Sequence, residues 1–251
     1  MEFARILAEG ASRNLSIRMR HTPFTVAPKA VGFAVVLALG SMARYPGGTA
    51  LNHSSQGYSL SGNFLSDLGM TVAYGGQRNI LGALLFVLSL GTLVVGLGNC
   101  LFGLVRLCAQ EPRARPVAYL AAAIGLLVCL AFAGVALTPE NRVMTLHVFA
   151  TLVAFRLFPA VALLMGIASL YSSGFSTRMP IAWGVLTGIL LAYVAVLEWG
   201  PRLGTPHGLV VQVIAQKVVA VLAVGILVFL SLQAAHVMTS AAGQTGVQDS
   251  G

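Results

Sequence analysis

Six long apolar runs recur along this chain, and each is about as long as a membrane-crossing helix. The predicted spans are residues 29–45, 79–105, 117–137, 143–170, 181–199 and 208–235. About 20 predominantly apolar residues suffice for an α-helix to cross the hydrocarbon core of a bilayer. Only 9% of the residues are charged, whereas a soluble domain carries about 25%. The sequence therefore predicts an all-α, polytopic integral membrane helical bundle with about six transmembrane helices.

The basic residues outside the spans indicate the orientation. Most of them flank the side that both termini share, and fewer flank the other side. Because lysine and arginine are enriched in cytoplasmic loops, we expect both termini in the cytoplasm. Residues 1–28 are predicted to be a basic cytoplasmic segment, residues 29–236 the six-helix transmembrane domain, and residues 237–251 a mobile cytoplasmic tail. The expected location is the cell membrane, as a multi-pass protein of a bacterial inner membrane.

The formal net charge of +8 raises the alternative of a nucleic-acid partner. The basic residues are not clustered on one segment, as a groove-binding face would require, so we predict no nucleic-acid partner. Membrane lipids are the expected partners. The sequence leaves the oligomeric state open.

A polar island interrupts the apolar chain at residues 62–70, with the sequence GNFLSDLGM. It lies in the long connection 46–78, which the orientation places outside. At helical spacing, Leu60, Phe64, Leu65 and Leu68 share one face, and Ser59, Asn63, Ser66 and Asp67 share the other. We therefore predict a short amphipathic helix at the outer interface, with its polar face towards the bundle. Gly69 is predicted to end this helix in the left-handed conformation.

Thr138-Pro139-Glu140 is typical of a helix start, because threonine caps, proline takes the first position and glutamate favours the positive end of the dipole. His147 lies about two turns further along nearly the same face. Both residues are candidates for a polar site. The alternative is structural, with a capping glutamate and a hydrogen-bonded histidine.

Two basic residues fall near the middle of predicted spans, Arg156 in the fourth and Lys217 in the sixth. A charge at membrane depth costs at least ~2.5–3.5 kcal/mol, so such residues normally face the bundle and pair. Glu198 is the predicted partner of one of the two. Gln212 and Gln216 share a helix face beside Lys217. These residues form either a structural network or a binding site.

Histidines and carboxylates in the outer half raise the alternative of a metal. The residues that would hold zinc are His53, Asp67, His147 and His207. They lack a compact spacing such as H-E-x-x-H, and the chain has no G-x-S-x-G motif or nucleotide-binding loop. We therefore predict no cofactor, with zinc as the alternative.

Residues 63–69, Asn79 with Gly82, and Pro139-Glu140 followed by His147 resemble the bacterial and archaeal membrane family called domain of unknown function 998. The Ser-Asp-Leu-Gly turn is more distantly similar to that of the DRAM-type autophagy modulators and the GPI-remodelling membrane proteins. The resemblance covers roughly residues 30–235. It implies a six-span fold and an outer polar site, and it implies no reaction.

The expected function is binding or sensing of a lipid headgroup or small polar ligand in an outer-facing pocket. A membrane-embedded lipid hydrolase, using a metal or acid–base residues, and a small transporter are the alternatives, and the sequence leaves open whether the protein is an enzyme. Asp67, His147 and Arg156 are the expected principal contacts. The full set of candidate ligand-binding residues is Asn63, Ser66, Asp67, Glu140, His147, Arg156, Glu198, His207, Gln212, Gln216 and Lys217.

Overall fold

The computed structural model describes the backbone of residues 2–172 and 174–248 and the side chains of residues 23–172 and 174–238. Over this part of the chain the secondary structure is helical, with two isolated β-bridges and no strand. The helices are α1 (Glu2–Arg44), α2 (Ile80–Cys108), α3 (Arg115–Leu137), α4 (Glu140–Leu170), α5 (Arg178–Trp199) and α6 (Pro206–Gln248), and a short 3₁₀ helix covers Ser66–Gly69.

Each of the six helices contains a stretch long and apolar enough to cross a membrane. These stretches run from 22 residues in Pro23–Arg44 to 33 residues in Pro206–Met238. Large apolar side chains such as Val95 and Val221 point out of the bundle, as a lipid-facing surface requires. The prediction of an all-α, polytopic bundle of about six membrane helices is confirmed.

The helices form a ring in chain order. Each helix packs against the next, and α6 packs back against α1. Small residues allow close approach, since Gly96 of α2 lies against Ala30 of α1. The hydroxyl of Ser231 in α6 donates to the carbonyl of Phe24 in α1 over 2.7 Å. Side chains from all six helices line the centre of the ring.

The first and last helices are longer than the sequence predicts. The first span was expected to begin after Pro28, yet α1 begins at Glu2 and continues through Pro23 and Pro28. A proline inside a membrane helix removes one hydrogen bond, which neighbouring groups can replace, so it need not end the helix. Likewise, α6 continues to Gln248, into the predicted tail. The mobility of that tail stays a prediction, and residues 249–251 lie outside the described residues.

Residues 45–79, which we call the cap, join α1 to α2 on one side of the bundle. Two isolated bridges, Gly47 with Gln56 and Val72 with Arg78, fold the cap back on itself. Gly48 has a φ of +88°, and a Cβ there would lie 2.2 Å from the backbone nitrogen of Gly75. Only glycine fits this close approach of two cap segments. The cap is therefore a folded unit.

The predicted amphipathic helix in the cap is wrong in extent. Only Ser66–Gly69 is helical, as a single 3₁₀ turn. The backbone N–H of Ser59 donates to Oδ1 of Asn63 over 3.0 Å, and this side-chain bond stabilises a turn in place of a helix. Asn63 and Asp67 are buried as predicted. Leu68 is buried as well, so the segment packs into the bundle on both of its faces.

Gly69 ends the 3₁₀ helix, as predicted, but the left-handed conformation predicted for it is wrong. Among the described residues, the glycines with a positive φ are Gly47, Gly48, Gly57 and Gly76, all in the cap, and Gly69 is not one of them. A Cβ on Gly69 would lie 2.8 Å from Cδ1 of Phe86 in α2. The position excludes a side chain because the cap packs directly on that ring.

Candidate functional site

Arg156 and Lys217, the two basic residues predicted near the middle of membrane spans, both make contacts on the cap side of the bundle. Arg156 reaches Glu198, which precedes the terminal Trp199 of α5. The amide of Gln212 donates to the carbonyl of Pro201, just after α5, over 3.0 Å, and Lys217 lies about one turn further along α6. The depth of Arg156 and Lys217 in a membrane stays a prediction.

The predicted pairing of Glu198 with a basic residue is confirmed for Arg156. Nε and Nη2 of Arg156 both lie 2.7 Å from Oε1 of Glu198. The side chains are 51% and 31% exposed, so the expectation that Arg156 faces the bundle interior is wrong. The pair lies on the outer surface of α4 and α5, beside the exposed indole of Trp199. Such a position is typical of the membrane interface.

Asn63 organises the centre of the cap. Its side-chain nitrogen donates to the carbonyl of Gly48 over 2.9 Å and to Oδ2 of Asp67 over 3.0 Å. Its own carbonyl accepts from the hydroxyl of Tyr58 and from the ammonium of Lys217. The Asn63 side chain is fully buried. One asparagine thereby connects three parts of the cap to α6.

Asp67 is a carboxyl group buried in the cap. Oδ2 accepts from Asn63 and, over 3.0 Å, from the backbone N–H of Phe64. Oδ1 has no hydrogen-bond partner among the described residues. Burial, together with the negative charge of Glu140, raises the pKa of Asp67 from 3.8 to about 7, although the bonds from Asn63 and Phe64 oppose this. The surroundings of Asp67 therefore favour its neutral form more than water does.

The structure does not pair Asp67 with His147. Nδ1 of His147 lies 2.7 Å from the carbonyl oxygen of Thr138, so this nitrogen carries the proton. His147 is buried and fixes the start of α4 to the end of α3. Glu140 accepts a long hydrogen bond of 3.4 Å from the hydroxyl of Tyr74 in the cap. Of these two candidates, only Glu140 contacts the cap.

Side chains of α4 and α6 hold the cap over the ring. Oε1 of Gln216 accepts from the backbone N–H of Leu65 over 2.7 Å. Oδ1 of Asn141 accepts from the backbone N–H of Thr71 over 2.9 Å. The ammonium of Lys217 also lies 5.4 Å from the centre of the Tyr58 ring, within the range of a cation–π contact. Contacts from both α4 and α6 thus hold the cap in place.

An apolar cavity of about 260 Å³ lies beneath the cap, inside the ring. All six helices line it, with Ala38, Phe86, Gly125, Phe158, Trp183 and Gln216 as one representative of each. Along α2 the lining runs from Phe86 to Leu101, a distance of about 22 Å at the helical rise of 1.5 Å per residue. None of the described residues that line it is charged. The cavity is long, narrow and suited to an apolar chain.

The cavity meets the cap at Leu65, Ser66 and Leu68. Two other polar residues line the cavity, Ser89 and Thr151, and their hydroxyl groups already have partners within the bundle. Ser89 donates to the carbonyl of Ala34, and Thr151 donates to the carbonyl of His147. Ser66 and the amide nitrogen of Gln216 make no hydrogen bond to any residue that the structure describes. The cap end of the cavity therefore offers free polar groups.

The residues proposed for zinc do not converge. His53 is exposed and stacks on Tyr74, with 6.1 Å between the ring centres, and His207 is exposed at the first turn of α6. His147 is engaged by Thr138. Within residues 23–172 and 174–238, no three His, Cys, Asp or Glu side chains come close enough to hold a metal ion.

Of the sequence candidates, Asn63, Ser66, Asp67, Gln216 and Lys217 are brought together at the junction of cap and cavity. His53, His147, Arg156, Glu198, His207 and Gln212 lie outside this junction. Sequence reasoning missed Asn141 and the cavity itself. The position of Asn141 next to Glu140 was an available signal, whereas the cavity depends on which apolar faces meet.

Comparisons with protein-family models, curated proteins and solved structures find no match to this chain.

Proposed function

We propose that this protein binds the apolar chain of a membrane amphiphile inside its six-helix ring, beneath the cap. The cavity carries this proposal, because it is continuous, apolar and lined by every helix. An unfilled space of this kind forfeits the dispersion contacts of its lining atoms. An apolar cavity also stays free of water. A lipid chain is the abundant apolar ligand that a membrane protein encounters.

The folded cap supports the same proposal. It lies over the end of the ring and is tied to α4 and α6 by Asn141, Gln216 and Lys217. A protein that only needed to connect α1 to α2 could use a few residues. The cap instead separates the cavity from the surrounding water on that side.

A substitution that fills the cavity with a bulky side chain tests this proposal. Ala220 of α6 lines the cavity, and its neighbour Val221 points outward. Ala220→Phe should abolish retention of the co-purifying lipid, measured by extraction and mass spectrometry of the purified protein. Val221→Phe, which adds a ring on the outer face, should retain it. Equal lipid retention by the two variants at equal yield would contradict the proposal.

The two alternatives have less support. A lipid hydrolase needs a nucleophile or an activated water beside an acid or base, and His147, the buried histidine among the described side chains, is held by the Thr138 carbonyl. A transporter of ions or polar solutes needs polar groups along its path, whereas the cavity is apolar below Ser66 and Gln216.

We further propose that the cap faces the outside of a bacterial inner membrane and that both termini are cytoplasmic. The distribution of basic residues supports this orientation. Membership in the domain of unknown function 998 family is likewise a proposal, supported by the Ser-Asp-Leu-Gly turn at residues 66–69. In this chain that turn is the 3₁₀ helix that packs on Phe86.

A further inference from the structure

At the cap end of the cavity, two lining residues carry polar groups without a hydrogen-bond partner among the described residues. Ser66 belongs to the 3₁₀ turn, and its hydroxyl makes no hydrogen bond to any described residue. Gln216 is buried and lies beside the same turn, since its Oε1 accepts from the neighbouring Leu65 N–H. A hydroxyl and a primary amide therefore adjoin at one end of a long apolar space.

The orientation of the Gln216 amide is fixed by chemistry. A backbone N–H can only donate, so the atom that contacts Leu65 over 2.7 Å must be the amide oxygen. The NH₂ group is left with two donors and no acceptor among the described residues. This amide nitrogen is therefore free to donate to a ligand atom that accepts hydrogen bonds.

None of the described residues that line this end of the cavity is charged, although Asp67 and Lys217 lie next to it. The ammonium of Lys217 donates to the carbonyl of Asn63 and lies over Tyr58, and Lys217 is not among the cavity-lining residues. Arg156 is paired with Glu198 on the outer surface. A phosphate, carboxylate or ammonium inside the cavity would have no counter-charge on its wall, and burying an unpaired charge is strongly unfavourable.

We infer that the ligand is an uncharged amphiphile whose hydroxyl or carbonyl end lies under the cap, where it is recognised by Ser66 and Gln216. This inference rests on the proposed function and specifies its ligand class. The serine hydroxyl can donate or accept, and the glutamine NH₂ donates. A long-chain alcohol, ketone or monoester satisfies both groups, and its chain occupies the space between Phe86 and Leu101.

The polar end must supply the selectivity. A chain that leaves the bilayer core for another apolar space gains no hydrophobic free energy, because lipid tails are as apolar as leucine side chains. Any preference for one lipid must then come from shape and from contacts to its polar group. Ser66 and Gln216 are accordingly specificity-determining residues.

The test compares three probes of equal chain length on the full-length protein in mild detergent: hexadecan-1-ol, hexadecyl phosphate and hexadecane. Apparent affinities come from displacement of a fluorescent fatty alcohol and from thermal stabilisation. We expect the alcohol to bind at least about fivefold more tightly than the other two, which corresponds to one net hydrogen bond. Ser66→Ala should reduce the affinity for the alcohol by about the same factor and leave hexadecane unchanged.

Thr151→Val is the matched control, because it removes a hydroxyl from the cavity wall that is already bonded to the His147 carbonyl. It should keep the preference for the alcohol. Tighter binding of the phosphate, or equal binding of alcohol and alkane, would overturn the inference while leaving the proposed function intact. If no probe binds, and none protects the protein thermally, the proposed function fails together with it.

Discussion

Asp67 is the residue whose surroundings most limit what a substitution can do. Its carboxyl group has one oxygen held by Asn63 and Phe64 and one without a partner among the described residues. Lys217 acts on it electrostatically without contacting it as an ion pair. The group is therefore stabilised by hydrogen bonds in either protonation state, and its charge is only partly compensated.

The pH dependence of stability should report on Asp67. Because its pKa rises from 3.8 in the unfolded chain to about 7 in the folded protein, the folded state binds the proton more tightly. The resulting stabilisation is fully present below about pH 4 and is lost as the pH rises through about 7. Between about pH 5.5 and pH 7 the wild type should lose roughly 2 kcal/mol relative to Asp67→Asn.

The measurement is the melting temperature of both proteins in mild detergent across that pH range. The asparagine variant keeps the shape of the side chain, so other titrating groups cancel in the difference between the two curves. Parallel curves would contradict the raised pKa of Asp67. An Asp67→Asn variant that does not accumulate in the membrane would show instead that the carboxyl group is needed for folding.

At the scale of helices, α4 and α5 are joined by the pair of Arg156 and Glu198 near the cap-side end of α5. Both side chains are partly exposed, and ion pairs at exposed sites stabilise by less than about 1 kcal/mol. The pair ties the middle of α4 to the last turn of α5, which ends at Trp199.

A double-mutant cycle tests this pair. Arg156→Leu and Glu198→Gln should show a coupling free energy of about 0.5–1 kcal/mol, because each single variant already loses the same contact. The control cycle combines Glu198→Gln with Lys217→Met, since Lys217 is bonded to Asn63 instead. That cycle should give less than about 0.3 kcal/mol. Equal coupling in the two cycles would refute the assignment of Arg156 as the partner.

The elements differ in how far the sequence determines them. The six spans could be predicted because each apolar run is itself long enough to cross a bilayer. The exposed position of Arg156 could not, because it depends on which face of α4 packs against α5. The cap turns could not be predicted either, since Asn63 bonds to Gly48 and to Lys217, which lie far from it in sequence.

At the scale of the whole molecule, the ring closes through contacts between the first and last helices. Ser231 of α6 bonds to Phe24 of α1, and α6 also bonds to the cap at Leu65. The cavity therefore exists only when all six helices are in place. Its polar end and the cap lie on the same side of the membrane.

Cysteine labelling tests which side that is. Ser54 in the cap and Arg113 between α2 and α3 are both exposed and lie at opposite ends of helix α2. A membrane-impermeant maleimide should label Ser54→Cys in intact cells and Arg113→Cys only after permeabilisation. The native cysteines are replaced by alanine in both variants, because Cys129 is only partly buried. Labelling of Arg113→Cys alone in intact cells would reverse the proposed orientation.

The bonds of Leu65 to Gln216 and of Asn63 to Lys217 join positions 151 and 154 residues apart. During synthesis the cap leaves the ribosome well before the sixth helix does. Because long-range contacts form only after their distant partner is available, the cap lacks its contacts to α6 until that helix is inserted in the membrane. Under the proposed function, a lipid chain enters the open ring laterally up to that moment, as part of the assembly of the protein.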